Sequence, residues 1–213
     1  MELIQEQPDV SAYLAADDAI DHGHPLVRRT AAALRAAVTP DPAGGADGGG
    51  SACARVYAEA AFDFVRDTIP HSADAGDPRV TWRASDVLAL RTGICYAKSH
   101  ALAALLRAEG IPTALCYQRL ADDDGTNPVV HGLVAVLLPG RGAWARQDPR
   151  GNRPGVDARF ALDREQLAFP VRPELGEVDY PVLHAAPHPA PLAALRQSPD
   201  RPALWKALPT ALA

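Results

Sequence analysis

Gly93-Ile94-Cys95-Tyr96-Ala97-Lys98-Ser99-His100-Ala101-Leu102-Ala103-Ala104-Leu105-Leu106-Arg107-Ala108-Glu109-Gly110-Ile111-Pro112 reads as one helix with its start and its stop written into it. Leu102, Leu105 and Leu106 recur at helical spacing, marking a buried face from Cys95 to about Glu109. Gly110 can take the left-handed conformation that closes a helix, and Pro112 cannot continue one. Cys95 therefore falls in the first turn, where unpaired backbone N–H groups and the helix dipole favour a thiolate.

Three β-type runs follow, Thr113 to Leu120, Val129 to Leu138 and Ala143 to Asp148. Asn127-Pro128 and Pro139-Gly140-Arg141-Gly142 supply the turns, so neighbouring antiparallel strands are expected. Val129–Leu138 is apolar at both parities, the pattern of a central strand covered on both faces. A helix followed by such a sheet predicts an α+β fold.

Upstream, Asp9 to Ile20 and Pro25 to Val38 read as helices, the second from Leu26, Val27, Thr30, Leu34 and Val38. Thr39 to Gly50 reads as a flexible Gly-rich loop. Ser51 is a good N-cap for a helix that Pro70 stops, and Ser85 for a short one over Asp86–Leu90. Beyond Phe160 a Pro-rich tail reads as one or two short helices, over Ala190–Gln197 and Arg201–Leu208. The expected organisation is an N-terminal helical part (1–80), a core (81–165) and a tail (166–213), all in one domain.

At 213 residues the chain can bury a sizeable core without metal or disulfide staples. Its formal net charge of −5 argues against nucleic acid or an anionic membrane as partner. Three widely spaced cysteines form neither a disulfide framework nor a zinc motif. The acidic N-terminus lacks the features of a signal peptide, and no apolar run is long enough to span a bilayer, so a cytoplasmic protein is expected. Nothing in the sequence specifies an oligomeric state.

Cys95, His131 and Asp148 are a thiol, an imidazole and a carboxylate in the order nucleophilic catalysis uses: the imidazole takes the thiol proton and the carboxylate fixes its tautomer. The bland readings are a core cysteine, a satisfied core histidine and a strand-ending aspartate. Even those predict a His131–Asp148 pair, because a buried imidazole needs a partner. Cys53, on a helix's first turn, and Cys116, mid-strand, read as structural. The Cys95 N–H is one oxyanion donor, and Gln118 and Trp82 are candidates for a second. Asp21-His22-Gly23-His24 and His184-Ala185-Ala186-Pro187-His188 lack a third ligand at metal spacing, so no metal or cofactor is expected. Arg150, Arg153 and Arg159 are candidates for a substrate carboxylate. Gly93 sits where the chain turns sharply into the helix and is expected to need a positive φ.

From Ala84 to Phe160 the chain resembles the transglutaminase-like superfamily, the bacterial single-domain branch of the papain-like cysteine enzymes. The resemblance rests on Ala84-Ser85-Asp86-Val87-Leu88-Ala89-Leu90-Arg91-Thr92-Gly93-Ile94-Cys95, the Leu102–Pro112 run, His131-Gly132 and Asp148-Pro149-Arg150-Gly151-Asn152. His131 lies 36 positions after Cys95 and Asp148 lies 17 positions after His131, spacings of the family's size. It implies a cysteine-bearing helix packed on an antiparallel sheet, a Cys95-His131-Asp148 triad, and attack on the amide bond of a peptide or amide substrate through a thioester. Asp122-Asp123-Asp124 lacks the ligand spacing of a calcium site, and nothing matches the extra domains of the calcium-dependent members or papain's oxyanion glutamine. Hydrolysis is therefore expected over cross-linking. The alternatives are an acyltransferase with the same Cys-His-Asp order and an inert peptide-binding module of the same fold.

Overall fold

The structure, a computed structural model, describes residues 1–38 and 49–212. Its centre is the helix α4 (Cys95–Ala108), in which every residue from Cys95 to Arg107 is buried. Helices α1 (Pro25–Ala37), α2 (Gly49–Thr68) and α3 (Ala84–Leu90) pack on α4, as do strands β2 (Thr113–Leu120) and β3 (Val129–Val136). A helix enclosed on all sides must satisfy its polar side chains internally. Lys98 Nζ donates to the carbonyls of Arg66 and Ile69, holding the end of α2. His100 Nδ1 meets the Trp82 carbonyl at 2.8 Å, and Arg107 donates to the carbonyls of Thr113, Ala15 and Ala185.

The main sheet has the order β4-β3-β2-β5, with β4 at Ala145–Gln147 and β5 at Val178–Asp179, every pair antiparallel. Across β2 and β3, Gln118 stands opposite His131 and Tyr117 opposite Gly132. Leu115, Tyr117, Val130, Val134 and Val136 join the α4 core, whereas Ala114, Cys116, Leu133 and Ala135 pack with Tyr13 and Leu183. The two-sided burial read from Val129–Leu138 follows from these two clusters. The α+β reading holds.

Several boundaries differ. Asp9–Ile20 is not an α-helix: a 3-10 turn covers Val10–Leu14, and Asp17 then accepts the N–H groups of Ala19 and Ile20, a local bonding pattern that competes with helix. Of the expected loop at 39–50, residues 39–48 lie outside the described residues, and Gly49 and Gly50 already belong to α2. Ser51 is thus inside the helix, its hydroxyl donating to the Pro139 carbonyl at 2.7 Å instead of capping. Ser85 likewise sits within α3, bonded to Asp21 at 2.5 Å.

The tail after residue 166 is more ordered in its pairing than its composition suggests. Strand β5 adds to β2, opposing Asp179 to Gln118, and β6 (Val182–Leu183) pairs in parallel with β1 (Ile4–Gln5). These two-residue strands carry no period-2 pattern to read. Helices α5 (Pro189–Gln197) and α6 (Arg201–Ala207) fall where expected, capped by the side chains of His188 and Asp200. No helix among the described residues is long and apolar enough to cross a membrane.

Candidate functional site

Cys95 is the first residue of α4, and the preceding Ile94 offers no side-chain cap. The first amides of the helix are therefore left for another acceptor. The thiol is 8% exposed and lines a cleft of about 950 Å³. His131, on β3, lines the same cleft, and its Nε2 lies 2.8 Å from Asp148 Oδ2. With Nε2 engaged, Nδ1 is the ring nitrogen left for the thiol.

Asp148 follows directly on β4 and is fully buried. Its Oδ1 accepts the Arg150 N–H at 3.0 Å, and Oδ2 accepts the Ala168 N–H at 3.1 Å. Burial works against its charge, but the imidazolium of His131 and these hydrogen bonds outweigh it and hold the carboxyl below its ordinary value. Burial would likewise discharge His131, yet the charges of Asp148 and Cys95 and the hydrogen bonds to both raise it to about 10. Phe169 closes over the imidazole edge-on, ring centroids 5.5 Å apart.

Both proposed second oxyanion donors lie elsewhere. Trp82 is held between Arg83 and Arg196, whose guanidinium carbons stand 4.2 and 4.3 Å from its ring centroid, and it does not line the cleft. Gln118 is paired to His131 across the strands, but its amide donates to Asp179 at 2.9 Å in a separate small pocket beyond Phe169. A strand partner that sequence could not supply, β5, has taken that donor.

The arginines part company as well. Arg150 is bound bidentately by Asp74, at 2.5 and 3.0 Å, and so ties the loop after α2 to the segment that follows Asp148. Arg159 pairs with Asp157 away from the cleft, whereas Arg150 and Arg153 both line it. Gly93 does not have a positive φ: the left-handed residue of this turn is Arg91, at φ 52°. What Gly93 provides is space, since a Cβ there would stand 3.1 Å from Ala97 Cβ and 3.2 Å from Thr81 Oγ1.

Cys116 is buried, and burial pushes its thiol up to about 12, while Cys53 is half-buried on α2. His24 and His188 cap helices, His22 meets the Leu14 carbonyl and His184 meets Glu6. Among the described residues no group of three or more His, Cys, Asp or Glu could hold a metal ion.

Two parts of the cleft went unread in the sequence. His71, just after the Pro70 stop, lines it beside Cys95, with its backbone bridged to Gly93. The tail supplies Phe169, Pro170, Arg172, Trp205 and Leu208 as a wall, with Trp205 48% exposed.

The sequence model of the transglutaminase-like superfamily matches residues 49–149. The match starts well before Ala84 and takes in α2, whose C-terminal carbonyls are held by Lys98 of the cysteine helix. No curated protein matches the sequence. A solved structure from Cytophaga hutchinsonii, a "putative cysteine protease", is similar at 17% identity and a TM-score of 0.48, covering 68% of this chain. The chain spans 43% of that protein's length. Residues 49–149, just under half of the chain, are thus similar to the transglutaminase-like superfamily.

Proposed function

We propose that this protein is a thiol-dependent enzyme acting on the amide bond of a peptide or amide substrate, with Cys95 as nucleophile, His131 as acid and base, and Asp148 as the group that orients His131. The observation that carries this reading is the buried His131–Asp148 contact at 2.8 Å, opening on the same cleft as a cysteine at a helix N-terminus. A packing histidine has no need of a thiol beside its other nitrogen.

The thiol proton passes to His131, and the Cys95 sulfur bonds to the amide carbon. The carbonyl oxygen takes the negative charge, facing the Cys95 N–H. His131 returns its proton to the leaving nitrogen as the C–N bond breaks, and an acyl thioester remains on Cys95. Water then attacks, giving one proton to His131. The C–S bond breaks, the acid leaves, and the thiol regains the proton. An amine in place of water makes the reaction a transamidation. Of these two outcomes we propose hydrolysis.

Limiting iodoacetamide at pH 6, read by peptide mass spectrometry, should mark Cys95 before Cys53 and Cys116, and His131→Ala should erase that preference. Equal labelling of the three cysteines, or preference for Cys53, would point to an inert cleft that binds peptides without cleaving them.

A further inference from the structure

A tetrahedral oxyanion needs more than one donor, and the helix start supplies only the Cys95 N–H. We propose that His71 is the second donor, its Nε2–H directed at the carbonyl oxygen attacked by Cys95. The proposal rests on the reading of Cys95 as nucleophile.

Three observations converge on it. The first is place: the bridge between His71 and Gly93, with the Ser72 N–H donating to the Gly93 carbonyl at 3.1 Å, fixes His71 beside the segment that leads into Cys95. The imidazole lines the cleft that holds Cys95 and His131. The second is orientation. His71 is 8% exposed, and its Nδ1 is sealed from solvent with no hydrogen-bond partner among the described residues. A buried N–H without an acceptor costs more than an unused lone pair, so the single proton of a neutral ring belongs on Nε2. Nε2 is the polar edge left to face the cleft.

The third is charge state. Burial and the neighbouring cations Arg150 and Lys98 hold His71 down to about 3, with Asp74 opposing them. At neutral pH it is an uncharged donor and does not compete with His131 for the thiol proton. His71 and His131 face one cleft with opposite protonation preferences because His131 touches a carboxylate, whereas the carboxylate nearest His71 is neutralised by Arg150.

Two reactions of the same thiol separate this role from a structural one. p-Nitrophenyl acetate acylates Cys95 through an oxyanion: the sulfur bonds to the carbonyl carbon, the C–O bond breaks, and p-nitrophenolate leaves. Iodoacetamide alkylates the same sulfur by displacing iodide, and no oxyanion forms. His71→Ala should slow acylation roughly 100-fold and leave alkylation of Cys95 within about twofold, since alkylation follows the thiolate alone. His71→Asn, which keeps an N–H donor, should recover about tenfold of the loss. Acylation in His71→Ala within about threefold of wild type overturns the proposal, and so does an equal fall in both reactions. Failure of Cys95 to react selectively in the unmutated protein would instead sink the nucleophile reading itself.

Discussion

Tyr96 lies directly on Gly132. A Cβ at Gly132 would stand 2.6 Å from Tyr96 Cδ1 and 3.3 Å from Tyr96 Cα, while the Tyr96 hydroxyl reaches on to the Val130 carbonyl at 2.5 Å. The residue after Cys95 is thus seated on the residue after His131. The missing side chain lets the start of α4 approach β3 closely enough for thiol and imidazole to share one cleft.

Gly132→Ala should therefore damage stability and site together. Overpacking of a buried contact typically costs about 1–3 kcal/mol, and urea denaturation should show a loss of that size. Iodoacetamide labelling of Cys95 should lose its selectivity in the same variant, because separating α4 from β3 separates Cys95 from His131. Selective labelling at the wild-type rate would show that Tyr96 yields without moving the helix.

Gly93→Val tests a position that is tight without being left-handed. Its added atoms meet Ala97 and Thr81, both buried, so a loss of about 1–3 kcal/mol is expected here too. Gly93→Ala should be markedly milder, since Ala97 and Thr81 need give way by only a few tenths of an ångström. Equal thermal midpoints for Gly93→Val and wild type would contradict the packing role.

Removal of Cys95 and His131 should be non-additive. Cys95→Ala, His131→Ala and the double variant should lose similar turnover on a cleaved peptide amide, because either loss disables one nucleophilic unit. Asp148→Asn should lose less than Cys95→Ala. The Cys95→Ala protein should unfold within about 1 kcal/mol of wild type, as its thiol is a small part of a large core. Near-full turnover in His131→Ala would rule out His131 as the base.

The pH behaviour follows from the direction of the His131 shift. Its folded value is raised to about 10 from an ordinary 6.5, so the folded protein holds a proton that the unfolded chain releases. The stabilisation is complete below the unfolded value and is lost as pH rises through the folded one. Wild type minus His131→Gln stability, from urea melts, should therefore decline between about pH 6.5 and pH 10. In Cys95→Ala the imidazole loses one supporting charge and should titrate lower by NMR. A difference independent of pH would place His131 outside the ion pair.

The local content of the chain was legible in the sequence. The Cys95–Ala108 helix, the Thr113–Leu120 strand and the two-sided burial of β3 follow from apolar period, a Gly-Ile-Pro stop and turn residues, all set by neighbours a few positions away. The placing of Cys95 at the start of a helix, His131 in a central strand and Asp148 at the end of the next one followed from the same signals. Which donors those residues meet was decided by the tertiary structure. Gln118 had the right type and the right strand, but β5 arrives from some sixty residues away and Asp179 takes its amide. Trp82 was near in sequence and is turned aside between two arginines. His71 carries no motif and becomes a cleft residue through one bridge to Gly93. The Ala168 N–H that helps hold Asp148 ionised, and the Trp205 wall, come from a tail in which short helices were legible but not where they pack. Periodicity records which face of an element is buried, whereas a polar side chain's partner depends on which distant backbone folds against it.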